Sequence, residues 1–90
     1  MKSGYYVETV INGERFGHLV SDKATLHSVY KAGKMLVRYG KRNHVPVRFI
    51  AYNADQSEIL FWLFARESVK GGWVAQHSSM GKYGSHCMYL

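Results

Sequence analysis

The order of patterns along this chain is that of an α+β domain, β-β-α-β-β with a weaker final strand, in which one helix packs on an antiparallel sheet of four or five strands. An Asn-Gly dipeptide between two alternating segments marks one hairpin, and two aromatic-rich runs around a polar turn mark a second. Between them, apolar residues spaced by threes and fours mark a single helix.

Tyr5 to Ile11 and Glu14 to Val20 flank Asn12-Gly13, a pair suited to a type I′ turn because both central residues take positive φ. Ser21-Asp22 then reads as a helix cap. Leu26, Val29, Tyr30, Gly33, Leu36 and Val37 share one side of a helix, expected from about Asp22 to Tyr39 with Gly40 as its stop. Val45 to Asn53 and Glu58 to Glu67 are rich in Val, Ile, Phe, Tyr and Trp, and Ala54-Asp55-Gln56-Ser57 between them is turn-like. Pro46 has no N–H to give a sheet, so the first of these strands starts there or lies on an edge. Beyond Val69, Gly71, Gly72, Gly81 and Gly84 break the pattern. Trp73 to Gln76 is nevertheless expected as a short fifth strand, with the apolar residues Met88, Tyr89 and Leu90 docked on the domain.

With 90 residues, 47% of them hydrophobic, the chain makes one domain over residues 1–90. A domain of this size hides only about 60 to 65% of its unfolded surface, so some of its two Trp, seven Tyr and four Phe remain near the surface. A homodimer is one way to cover them. Cys87 is the single cysteine, Met1 to Tyr6 has no hydrophobic signal region, and the longest apolar run is Ile59 to Ala65. These features lead to the expectation of a cytoplasmic protein that engages no membrane.

Twelve Lys and Arg stand against six Asp and Glu, a net charge of +6. On a helical wheel Lys23, His27, Lys31, Lys34 and Arg38 fall within roughly 80°, and Lys41 and Arg42 extend the stripe if the helix continues. An ordinary solvated face mixes signs, because opposite charges four residues apart stabilise a helix and like charges destabilise it. Here Lys31, Lys34 and Arg38 are like-charged neighbours, and no acid occurs from Lys23 to Ala54. The helix dipole accounts for cations at Arg38, Lys41 and Arg42, but not for Lys23. A basic helix face of this kind is the electrostatic footprint of a polyanion binder.

The second hairpin is apolar on both faces. Ile59, Phe61, Leu63 and Ala65 alternate with Leu60, Trp62, Phe64 and Arg66 along one strand, and Val47, Phe49 and Ala51 with Arg48, Ile50 and Tyr52 along the other. One helix covers one face, and the unknown loop register leaves open which. The remaining face either packs against a second copy or the C-terminal segment, or offers Arg48, Tyr52, Trp62 and Phe64 as a platform on which bases stack.

Catalytic and metal patterns fail on inspection. His77, His86 and Cys87 lack the paired short spacings of a zinc site, and no local base and orienting group surround Cys87. Asp55, Glu67 and Lys70 do not form a two-metal arrangement, and Gly81-Lys82 lacks the pattern of a P-loop. His27 and His44 could act as base and acid in a metal-free ribonuclease, but histidines on a basic surface are more often phosphate contacts. The sequence therefore leads to a non-enzymatic nucleic-acid-binding domain, RNA or DNA, with no cofactor, metal or catalytic residue. Lys23, Lys31, Lys34, Arg38, Lys41 and Arg42 would contact phosphates, with His27 and Tyr30 bordering them. The competing expectation is a small interaction or inhibitor protein, of the sort a mobile element such as a phage encodes, that docks its basic helix on an acidic protein or nucleoprotein surface.

Overall fold

The computed structural model describes residues 4–20, 23–78 and 87–89. Its first element follows from the turn chemistry: Asn12 (φ 50°) and Gly13 (φ 87°) both take positive φ. They fold Tyr5–Ile11 (β1) back as Glu14–Val20 (β2), with Ile11 opposite Glu14. The Asn12 N–H also donates to the Pro46 carbonyl across 2.9 Å, which fixes this turn to the start of the next strand.

The second hairpin consists of Val47–Asn53 (β3) and Ile59–Glu67 (β4), followed by Trp73–Ser78 (β5) and the three-residue strand Cys87–Tyr89 (β6). All neighbours pair antiparallel in the order β2-β1-β3-β4-β5-β6. The expected helix on an antiparallel sheet is what forms. β5 runs on past Gln76 to Ser78, and the edge of β5 is where Cys87–Tyr89 docks.

The helix (α1) spans Leu26–Asn43, later at both ends than the sequence pattern suggests. Its N-cap is Thr25, whose side chain accepts from the Ser28 N–H at 3.1 Å, while Ser28 Oγ donates to the Thr25 carbonyl at 2.8 Å. Ser21 and Asp22 lie outside the described residues. At the other end Gly40 is not the stop. The chain leaves the helix at His44, in the left-handed conformation (φ 57°, ψ 46°), and its N–H reaches the Gly40 carbonyl.

Packing explains why the helix runs through Gly40. A Cβ there would lie 2.6 Å from the Val45 carbonyl oxygen and 2.7 Å from Val47 Cγ2, and one at Gly33 would lie 2.5 Å from Phe49 Cδ1. With Val29 and Val37, these glycines form the buried stripe of α1. Absent side chains bring the helix down onto β3, and each fully buried Val, Leu or Phe beneath it contributes about 1.5 to 3 kcal/mol.

The register of β3 on β4 decides which aromatic residues meet the helix. Val47 pairs with Ala65, Phe49 with Leu63 and Ala51 with Phe61, and these side chains form the core with Val7, Ala75, Val29 and Val37. A bulge between Ala51 and Tyr52 lets Tyr52 face Ile59 and leaves Leu60 unmatched. By alternation, Arg48, Ile50, Trp62 and Phe64 lie on the face away from the helix. Since α1 packs on β3, β4 and β5 only, the β1-β2 hairpin extends beyond it, and β2 is exposed from Glu14 to Leu19.

Candidate nucleic-acid interface

The helix presents most of the expected stripe. His27, Lys31, Arg38, Lys41 and Arg42 are exposed and Lys34 is half-buried, all within an arc of roughly 100°. No described carboxylate pairs with Lys31, Lys34, Arg38, Lys41 or Arg42. Lys23 is displaced from the expected frame: it lies in the turn before Thr25, because the helix starts at Leu26 rather than at Asp22. Lys41 and Arg42 occupy the last turn, where the helix dipole favours them.

Lys34 marks the border of the stripe toward β5. Its ammonium lies 5.8 Å from the centroid of the Tyr30 ring, within cation–π reach. Tyr30 meets Phe61 edge-on at 5.5 Å, and its hydroxyl lies 2.6 Å from His77 Nδ1. Burial holds the His77 imidazole below its ordinary pKa, and the nearby Lys34 charge acts in the same direction against a smaller opposing contact with the Ser78 backbone. Burial raises the Tyr30 hydroxyl, partly offset by Arg38. Both shifts keep Tyr30 protonated and His77 neutral, so the two share a hydrogen bond between uncharged groups whose direction is set by the imidazole tautomer.

On the opposite face of the sheet lies a hollow of about 580 Å³, lined in part by Arg15, Arg48, Arg66, Ile50, Trp62 and Phe64. Trp62 and Phe64 are two residues apart on β4, and their rings stack at 5.2 Å with 21° between planes. The Arg66 guanidinium continues the row, 5.5 Å from the centre of the Phe64 ring. Arg48 pairs directly with Phe64 across the strands, while Arg15 pairs with Val10, which in turn pairs with Arg48. Among the described residues no Asp or Glu lines this hollow. Glu8, opposite Ile50 and Gly17, is the acid one row away on the same face.

The two groups of residues singled out in the sequence are therefore not brought into one patch. The stripe lies on the helix, and Arg48, Tyr52, Trp62 and Phe64 lie behind the sheet. Tyr52 stands apart from the hollow, against Tyr6 at 6.1 Å. The surfaces approach each other at one end of the domain, because Lys41 and Arg42 end the helix just ahead of Pro46 and Arg48 on the entry to β3. Arg15 escaped the sequence reading. The Asn-Gly register places it across from Val10, but only the non-local pairing of β1 with β3 brings it beside Arg48.

Among the described residues no three His, Cys, Asp or Glu side chains are grouped to hold a metal, and His86 lies outside them. No described helix is long and apolar enough to cross a membrane. No protein-family model, curated protein or solved structure matches the chain.

Proposed function

We propose that this protein is a non-enzymatic nucleic-acid-binding domain whose helix contacts phosphates through Lys31, Lys34, Arg38, Lys41 and Arg42, with His27 and Lys23 at the margin. The observation that carries the reading is the one-sidedness of the helix: Lys31, Lys34, Arg38, Lys41 and Arg42 are contiguous, and no carboxylate among the described residues pairs with them. Helix stability gains nothing from like charges at Lys31 and Lys34, away from the last turn where the dipole favours Lys41 and Arg42, whereas a polyanion releases counterions on meeting the whole stripe. Phosphate contacts orient the ligand and carry little sequence information, so specificity is broad.

A salt titration tests this. Each lost phosphate contact lowers the slope of log affinity against log salt by about 0.7 on a single strand and about 0.9 on a duplex. The Lys31→Gln/Lys34→Gln/Arg38→Gln variant should flatten the slope by the equivalent of up to three contacts. An unchanged slope would remove the stripe from the interface.

One observation favours a second reading, a small interaction or inhibitor protein that docks on an acidic protein surface. Met35 and Tyr39 flank the stripe at 73% and 52% exposure, large apolar groups next to charge, as in a protein interface with a hot spot. Capture from nuclease-treated lysate separates the readings. Nucleic-acid binding requires loss of all retained material after nuclease, and protein docking requires a retained acidic partner that Met35→Ala/Tyr39→Ala releases.

A further inference from the structure

We infer that the hollow behind the sheet takes an unpaired nucleobase, so that the polyanion recognised by this domain is a single strand. This rests on the nucleic-acid reading above but on different residues and a different face. The hollow combines the two chemistries of a nucleotide. Arg15, Arg48 and Arg66 supply cations with no acid among the lining residues, and Trp62, Phe64 and Ile50 supply flat apolar surface.

The aromatic side is pre-organised. Phe64 lies between the Trp62 ring and the Arg66 guanidinium, so the three planar groups at alternate positions of β4 support one another. A base entering the hollow meets an ordered surface and needs to fix few side chains, which reduces the entropic cost of binding. A duplex keeps its bases stacked on each other, so the rings of this hollow gain no base from a duplex. A simple polyanion has no flat group to place there.

Charge complementarity separates this occupant from a second copy of the chain. A copy would bring another net charge of +6 and another set of arginines to a face whose hollow is already cationic. A strand brings phosphates for the arginines and bases for the rings. Lys41 and Arg42 at the helix C-terminus and Arg48 at the entry to β3 give that strand a basic route around the end of the domain between the two surfaces. Glu8 bounds the route on the far side of the hollow.

The test uses the full chain carrying Trp73→Phe, so that Trp62 is the remaining one of two tryptophans. Its fluorescence is titrated with a short oligothymidylate, an abasic oligonucleotide of equal length, a duplex and the mononucleotide. Oligothymidylate should quench Trp62 and bind most tightly. Loss of one stacked base at Phe64→Ala should weaken it by about 5- to 150-fold while leaving duplex affinity unchanged. Arg48→Gln and Arg66→Gln should each lower the salt slope by about 0.7.

Equal affinity for the abasic strand, or quenching by the duplex, would overturn the inference. Equal affinity for the mononucleotide would overturn its single-strand form, and a Phe64→Ala variant altered in oligomeric state but not in strand affinity would assign the face to a second copy. Phe64→Tyr guards against misfolding, since it keeps a ring and should retain tight binding; its failure alongside an intact circular dichroism spectrum counts against stacking. The stripe and the hollow fail separately. Loss of affinity in the helix variant with equal binding of the abasic strand removes the hollow alone, and the converse pattern removes the stripe alone.

Discussion

The Tyr30 hydroxyl and His77 Nδ1 lie 2.6 Å apart and tie the middle of the helix to the fifth strand. The bond is half-buried and joins residues far apart in sequence, so it links two elements that no local interaction holds together. Tyr30→Phe keeps the edge contact with Phe61 and removes only the hydroxyl. It should lower unfolding free energy by about 0.5 to 1.5 kcal/mol, read as a shift in urea midpoint at unchanged m-value.

The same pair makes stability depend on pH. An unfolded chain protonates His77 near 6.5, whereas burial and Lys34 depress the folded value. The contribution is complete above 6.5, and it is lost as the pH falls toward and through the lower folded value, because the unfolded chain takes up the proton first. Urea midpoints should therefore fall between pH 7.5 and pH 5.5 more steeply for the native protein than for His77→Gln. Parallel curves would show that His77 does not carry the difference.

Gly40→Ala sets two effects against each other. Alanine improves helix propensity by about 1 kcal/mol, yet its Cβ would lie 2.6 Å from a backbone oxygen of Val45 that cannot swing aside like a flexible side chain. Overpacking of this kind costs about 1 to 3 kcal/mol, so net destabilisation is expected, with a lowered Tm. Met35→Ala, at an exposed position of the same helix, should leave Tm nearly unchanged and serves as the comparison.

Stability and binding should move in opposite directions at the stripe. Lys31→Glu replaces the repulsion from Lys34 with an attraction at i, i+3 and should raise stability by about 0.5 kcal/mol. The same variant should weaken binding to any nucleic acid and reduce its salt dependence. Simultaneous loss of stability and binding would mean that Lys31 serves the fold.

Local chemistry was legible in the sequence wherever one or two residues decide it. Asn12-Gly13 dictates its own turn, and the run of cations on the helix needs no partner element to be seen. Gly40 was misread because a glycine after the last periodic residue looks the same whether it ends a helix or admits a neighbouring carbonyl, and the Val45 oxygen is visible only in three dimensions. Ser21, Asp22 and Thr25 are all capping residue types, so capping preference alone does not single out Thr25 as the start. The side of the sheet that meets the helix depends on the loop from Ala54 to Glu58 and on the bulge at Ala51 and Tyr52, which no periodicity announces. Arg15 joins the hollow only through pairing of the first strand with the third.

That pairing also orders the assembly of the domain. β1 lies between β2 and β3, although the helix separates β1 from β3 in the chain. The first hairpin can close on microsecond timescales by local contacts, but the inner edge of β1 has no hydrogen-bonding partner until residues 47–53 arrive. Closing a loop that contains a whole helix carries an entropic cost that grows only slowly with length, and it is paid before the core contacts form. During synthesis, the amino-terminal hairpin and the helix must therefore wait, exposed, for the middle of the chain. Of the pairings in the sheet, this long-range closure is the one that topology makes slow, since both hairpins close locally.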